Sequence, residues 1–240
     1  MNTMSESRVE PPTAARDRIL VWDAPVRVFH WLLAASFIGA YLTAESERWR
    51  LLHVTLGYTV AGLVAFRVLW GLVGTRHARF RSFVQRPKVV RAYLASMLRG
   101  SPSHSTGHNP VGALAIIGLL ALAVLVCITG WGTYNEVGAL SSDDLHELLA
   151  NGMLALVGVH VAGVLVGSWL ERENLVKAML TGRKSGPAGK AISSSRAGVA
   201  ALVLVSTLAF WAWQWQAAPA GASAAPGRAG SGEHRDRDDD

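Results

Sequence analysis

Apolar residues along this chain fall in long unbroken runs, neither alternating as in a half-buried strand nor confined to one stripe of a surface helix. Five stretches are long enough to cross a membrane: residues 26–43, 51–73, 111–133, 145–170 and 197–215. A hydrocarbon core about 30 Å thick takes about 20 residues of helix. The third stretch holds no charged residue. Continuous runs exclude a transmembrane strand barrel, whose segments alternate. The pattern predicts an all-α integral membrane protein, a four-helix transmembrane bundle followed by a fifth, C-terminal transmembrane helix.

The polar segments between the runs set an orientation. Arg76, Arg79, Arg81, Arg86, Lys88, Arg91 and Arg99 separate the second and third runs with no acidic residue among them, and Arg172, Lys177, Arg183, Lys184, Lys190 and Arg196 follow the fourth. Residues 134–144 are purely acidic, with Glu136, Asp143 and Asp144. Basic loops stay in the cytoplasm, so the N-terminus is expected inside and, after five spans, the C-terminus in the periplasm. Residues 1–19 then read as a cytoplasmic tail without the apolar stretch of a signal peptide. Residues 217–240, rich in Ala, Gly, Pro and Ser with an acidic end, read as a disordered periplasmic tail. Trp49, Trp131, Tyr134, Trp213 and Trp215 stand at span ends as an aromatic belt would. Residues 92–99 are expected to lie on the inner surface as an amphipathic helix, and Asp143 with Asp144 to cap the fourth span. No internal repeat suggests a transporter built from inverted halves.

Composition agrees. Of 240 residues, 50% are apolar and 17% charged, against about 25% charged in a soluble domain, too little to coat a globule of this size. The net charge of +6 resides between the spans, where topology accounts for it better than nucleic acid does.

Histidine at membrane depth marks a functional site by default. Four of the eight histidines, His30, His53, His146 and His160, fall in or at the ends of the spans. His146 and His160 are fourteen residues apart (160 − 146), so they share one helix face about 21 Å apart in depth. His30 opens the first span on the inner side, and His53 opens the second on the outer side. Pairing by depth joins His30 with His160 and His53 with His146. Two imidazoles on facing helices at each of two levels are what six-coordinate haem iron accepts; zinc would want four close ligands. The single cysteine, Cys127, lies inside a span as a small core residue and excludes a C-x-x-C-H attachment motif, so two non-covalent haems b are expected.

On the second span His53, Gly57, Ala61, Val64, Arg67 and Gly71 form one stripe, leaving room either for a flat macrocycle or for close helix packing. Arg67 either snorkels to the inner surface or pairs with a haem propionate there, and Arg27 is a second candidate for that role. His77, His104, His108 and His234 read as surface residues. The fifth span has no ionisable residue and reads as an anchor.

The stretches VWDAPVRVFHW, LLHVTLGYTVAGLVAFRVLWGLVGTRHARF, GHNPVGAL, LHELLANGMLALVGVHVAGVL and MLTGRK, in this order over residues 20–185, resemble the bacterial cytochrome b-561 family, which includes the b-type cytochrome subunit of nickel-iron hydrogenases. The resemblance implies a di-haem b cytochrome of the bacterial inner membrane. Its axial ligands would be His30, His53, His146 and His160, and it would pass electrons between quinone and a redox partner. That partner would be a cytochrome c or a dehydrogenase or hydrogenase subunit. The chain is thus expected to be an electron-transfer protein or oxidoreductase subunit rather than a stand-alone enzyme. The alternatives are the membrane subunit of a hydrogenase or other periplasmic dehydrogenase, a histidine-dependent proton or metal-ion transporter, and a cofactor-free membrane anchor. The fifth span and tail, 197–215 and 217–240, lie outside the resemblance.

Overall fold

The computed structural model describes residues 17–84, 86–99, 107–140 and 142–217. In chain order its elements are β1 (Asp17–Leu20), α1 (Ala24–Thr43), α2 (Arg50–Val73), α3 (Pro87–Leu98), α4 (Pro110–Tyr134), α5 (Asp143–Glu171), α6 (Leu175–Thr181), β2 (Arg183–Gly186) and α7 (Ala197–Ala217). The long helices α1, α2, α4, α5 and α7 match the five apolar runs to within two residues at each end and are long and apolar enough to span a membrane.

Their ends have local causes. Asp23 caps α1 by accepting the Val26 N–H at 2.9 Å, with Pro25 in the first turn. Asn109 caps α4 by accepting the Gly112 N–H at 2.7 Å, and Pro110 opens it. At α5 the cap is Ser142, which accepts the Leu145 N–H at 3.2 Å. The expected Asp143–Asp144 cap sits instead in the first turn, where the carboxylates complement the helix dipole.

Close packing joins α1 to α2, α2 to α4 and α4 to α5, and α7 lies on α1 with an edge against α2. Helices α1 and α5 pack less closely than these pairs, and Tyr41 Oη–H links them by donating to Asn151 Oδ1 at 2.7 Å. At mid-depth Phe37, Val60, Val64, Ala123 and Met153 make a buried apolar core, with Cys127 packed on it as expected. Large apolar side chains such as Leu42, Leu72, Leu148, Val159 and Leu202 are exposed on the outside, as lipid requires. Trp49, Trp131, Tyr134, Trp213 and Trp215 are exposed at helix ends. The fifth helix does more than anchor. Ala200 and Thr207 are buried against the bundle, and Trp211 Nε1–H donates to Thr59 Oγ1 at 2.8 Å.

One end of the bundle has short turns, 44–49 and 135–140; the other is built up, and we call these the loop end and the ribbon end. The ribbon is β1 paired antiparallel with β2, Asp17 opposite Gly186 and Leu20 opposite Arg183, so residues 17–19 belong to the fold rather than to a tail. The rest of the expected tails, 1–16 and 218–240, lies outside the described residues. Gly182 accepts the Val21 and Trp22 N–H groups at 2.8 and 3.0 Å. Its φ is +79°, and a Cβ there would come within 2.6 Å of the Trp22 carbonyl, so the position requires glycine. Asp23 Oδ2 accepts from Trp70 Nε1 at 3.0 Å and Thr75 Oγ1 at 2.7 Å, tying the start of α1 to the end of α2. Buried Lys184 lies 3.5 Å from Glu171 and 4.0 Å from Glu173, holding β2 to the end of α5. Helix α3, begun five residues earlier than expected, buries Val90 and Tyr93 and packs on α4.

Candidate haem sites

Helix α5 carries His146 near the loop end and His160 near the ribbon end. Met153, seven residues from each (153 − 146 and 160 − 153), stands in the apolar core between them. The two levels are therefore separated by packed hydrocarbon about two helical turns from either histidine.

At the loop end the His53 and His146 rings stand nearly perpendicular, with centres 6.3 Å apart and planes at 84°. Their tautomers follow from their partners. His53 Nδ1 lies 2.8 Å from the Ala40 carbonyl, which only accepts, so Nδ1 carries the proton. His146 Nδ1 lies 3.1 Å from Thr129 Oγ1, which also reaches the Leu125 and Val126 carbonyls at 3.0 and 3.2 Å; a hydroxyl that gives its one hydrogen to a carbonyl accepts here, which makes this Nδ1 the donor as well. Both Nε2 atoms are left as lone-pair donors, the form that ligates metal. An imidazole nitrogen binds a transition metal at about 2.0 Å and the ring centre lies about 1.1 Å beyond it, so trans imidazoles on one ion have centres about 6 Å apart. The observed pair fits that requirement. Thr129 and its neighbour Gly130 cradle the ring: a Cβ on Gly130 would stand 2.8 Å from His146 Cε1.

At the ribbon end His30 and His160 are near enough to act on each other electrostatically. The structure thus brings the His53 and His146 rings together and sets His30 within electrostatic reach of His160. Nitrogens at this end that are shielded from solvent and lack a hydrogen-bond partner among the described residues include His30 Nδ1, Arg27 Nε, Arg67 Nη1, Arg79 Nε and His108 Nδ1. Arg67 does not snorkel. It is 3% exposed, with its guanidinium 5.0 Å from the centre of the Phe80 ring. Arg27 spends Nη1 on the Leu180 carbonyl at 2.7 Å. Unsatisfied cationic donors below a pair of imidazoles fit a cofactor that bears carboxylates, as haem does. The small stripe on α2 serves two ends: a methyl at Gly57 would meet nothing within 4 Å, whereas one at Gly71 would overlap the Phe80 ring.

A family model for prokaryotic cytochrome b561 matches residues 21–182. The chain belongs to this family. Membership makes it a multi-pass membrane cytochrome b, an electron-transport protein whose cofactor is haem b. The chain is similar to the protein named "Probable Ni/Fe-hydrogenase 1 B-type cytochrome subunit" from Escherichia coli (strain K12), at 27% identity over 73% of this chain and 94% of that one. Proteins named "Probable Ni/Fe-hydrogenase B-type cytochrome subunit" from Bradyrhizobium diazoefficiens and Azotobacter vinelandii are 25% and 33% identical. They cover 70% and 58% of this chain, and 87% and 68% of their own lengths. No solved structure matches the chain.

One histidine of this cytochrome b561 chain departs from its expected surface position. His108 is sandwiched between Trp22 and Phe83, with ring centres 4.4 and 4.6 Å away, and its Nδ1 is shielded without a partner among the described residues. Burial first, then the nearby Arg67, pushes its pKa down to about 3. His77 is half-buried, bonded through Nε2 to the Lys190 carbonyl at 2.8 Å, and burial lowers its pKa too. His104 and His234 lie outside the described residues. Because unfolded histidine takes a proton near pH 6.5, the unfolded chain binds more protons than the folded one below that pH. The His108 contribution to stability is full above pH 6.5 and is lost as pH falls toward 3. Thermal melting of the detergent-solubilised protein should therefore drop by several degrees between pH 7 and 4.5, and His108→Phe should flatten that slope; equal slopes refute it.

Proposed function

We propose that this chain is the membrane cytochrome b subunit of a hydrogenase or related periplasmic dehydrogenase, passing electrons between that partner and the quinone pool of the bacterial inner membrane. The observation that carries it is one helix, α5, presenting histidines to partners at two depths, His53 with His146 and His30 with His160. The names of the relatives favour this reading over a free-standing carrier between quinone and a cytochrome c. The four histidines would hold two haems b. When bound, haem b supplies a one-electron Fe(III)/Fe(II) couple.

The residues do the rest. His53 with His146 and His30 with His160 would each hold a haem iron through two imidazoles, an arrangement that disfavours oxygen chemistry. The core of Phe37, Val60, Val64, Ala123 and Met153 keeps water from the space between the levels. Arg67 and Arg27 offer positive charge to the propionates at the ribbon end. Residues 20–185 would form the di-haem domain, with 197–215 as the added fifth helix. The ribbon end and N-terminus would face the cytoplasm, and residues 217–240 the periplasm.

The test is isolation from membranes in mild detergent, with haem counted and reduction by hydrogen followed optically. Two haems b per chain, co-purification of a hydrogenase and hydrogen-dependent reduction are expected. A chain without a reduced-minus-oxidised haem band refutes the reading, and a reporter fused after residue 240 that is active only in the cytoplasm refutes the orientation. Arg67→Leu should lower the potential of the ribbon-end haem by on the order of 1 kcal/mol, since a nearby cation favours the reduced iron. Unchanged potentials would remove Arg67 from the site.

A further inference from the structure

The two levels differ in what stands behind their imidazoles. At the loop end both Nδ1–H groups are engaged, His53 on the Ala40 carbonyl and His146 on Thr129 Oγ1. At the ribbon end His30 Nδ1 is buried with no hydrogen-bond partner among the described residues. A hydrogen bond donated from Nδ1 raises the basicity of the ring and makes Nε2 a stronger donor. A stronger donor favours ferric over ferrous iron and so lowers the reduction potential.

Fixed charge acts in the same direction. Asp143, Asp144 and Glu147 lie within a turn of His146 on α5, and Asp143 acts on its ring. Of the cations at that end, Arg50 is paired with Glu47 at 3.8 Å, and both it and Arg48 are exposed. At the ribbon end buried Arg67 has Asp23 within electrostatic reach, Arg27 lies one turn before His30, and Lys184 stands against Glu171 and Glu173. The groups named sum to −2 at the loop end (four carboxylates, two arginines) and to zero at the ribbon end (three cations, three carboxylates), so the loop-end pair lies in the more negative surroundings, which oppose reduction.

Resting on the reading of two bis-histidine haems, we propose that the loop-end haem has the lower potential of the two and that Thr129 is a positioning residue that sets it. The Thr129 hydroxyl lies 3.1 Å from His146 Nδ1 and 3.0 and 3.2 Å from the Leu125 and Val126 carbonyls; giving its one hydrogen to a carbonyl, it accepts from His146 and, beside the Val126 carbonyl that also partners His146, helps hold that ligand's tautomer and donor strength.

The experiment is redox potentiometry with optical and electron-paramagnetic-resonance readout on the purified protein, after haem b per chain has been counted. The wild type should show two one-electron midpoints, and His53→Ala should lack the lower. Thr129→Val should shift the reduction equilibrium of the lower-potential haem about tenfold toward the reduced form, 59 mV for one electron, and alter its low-spin signal. The other midpoint should stay in place, and Thr129→Ser should restore the wild-type values. If Thr129→Val loses a haem outright, loss of the lower-potential one with Thr129→Ser intact supports the positioning role. Loss of the higher midpoint in His53→Ala overturns the proposal, as do unmoved midpoints in a Thr129→Val protein that keeps both haems. Fewer than two haems per wild-type chain overturns the underlying two-site reading instead, and the proposal with it.

Discussion

Replacing His30 or His160 by alanine removes one and the same haem, and replacing His53 or His146 removes the other: this is the largest effect expected of single substitutions here. Haem per chain should fall from two to one in each case. The double variant of His30 and His160 should keep one, and that of His30 and His146 should keep none. The physical reason is depth. His53 and His146 have ring centres 6.3 Å apart, and fourteen helical residues put His160 about 21 Å below His146. Two axial bonds of about 2 Å each cannot bridge such a span. A His30→Ala, His146→Ala protein that retains an intact bis-histidine haem would reverse the pairing.

Gly130→Val should empty the loop-end level while sparing the ribbon-end one. Its first added carbon alone would come 2.8 Å from His146 Cε1 and 3.3 Å from Nδ1, and the branch methyls add further bulk beside the ring. Overpacking of this kind costs about 1–3 kcal/mol, and the imidazole is the movable part. Displacing it breaks its alignment with His53. At exposed Gly152 on the same helix as His146, an added methyl meets nothing within 4 Å, so Gly152→Ala should keep both haems. The measurement is haem per chain, with the melting temperature as a check on folding; a Gly130→Val protein with full haem would show that the ring has another place to stand.

The spans were legible because a run of some twenty apolar residues has few other uses, and the ligand candidates because ionisable groups at that depth are rare. What escaped was set by contacts between distant parts of the chain. Four-residue strands such as Asp17–Leu20 and Arg183–Gly186 carry no period of their own, and each is defined by the other. His108 sits in a polar Gly-His-Asn-Pro segment that reads as surface, yet Trp22 and Phe83 close over it from elsewhere. Thr129 and Gly130 were invisible for the opposite reason. Helix α4 is apolar all round, so its sequence does not tell which side meets His146. Ser142 rather than Asp143 capping α5 is the ordinary one-residue ambiguity of helix ends.

The ribbon has a consequence for how the protein is made. Its first strand leaves the ribosome ahead of every span, and its second only after α5 and α6 have been synthesised. Until then β1 has no partner, and the Gly182 carbonyl that receives Val21 and Trp22 does not yet exist. Helix α5 is also the last of the four core helices to enter the bilayer and brings a histidine for each level. Neither level has both of its imidazoles before that moment, and both are completed by the same insertion event. On the proposed ligand set, cofactor capture at the two depths would be timed together, at the end of biogenesis of the core, and closure of β1 on β2 would follow it.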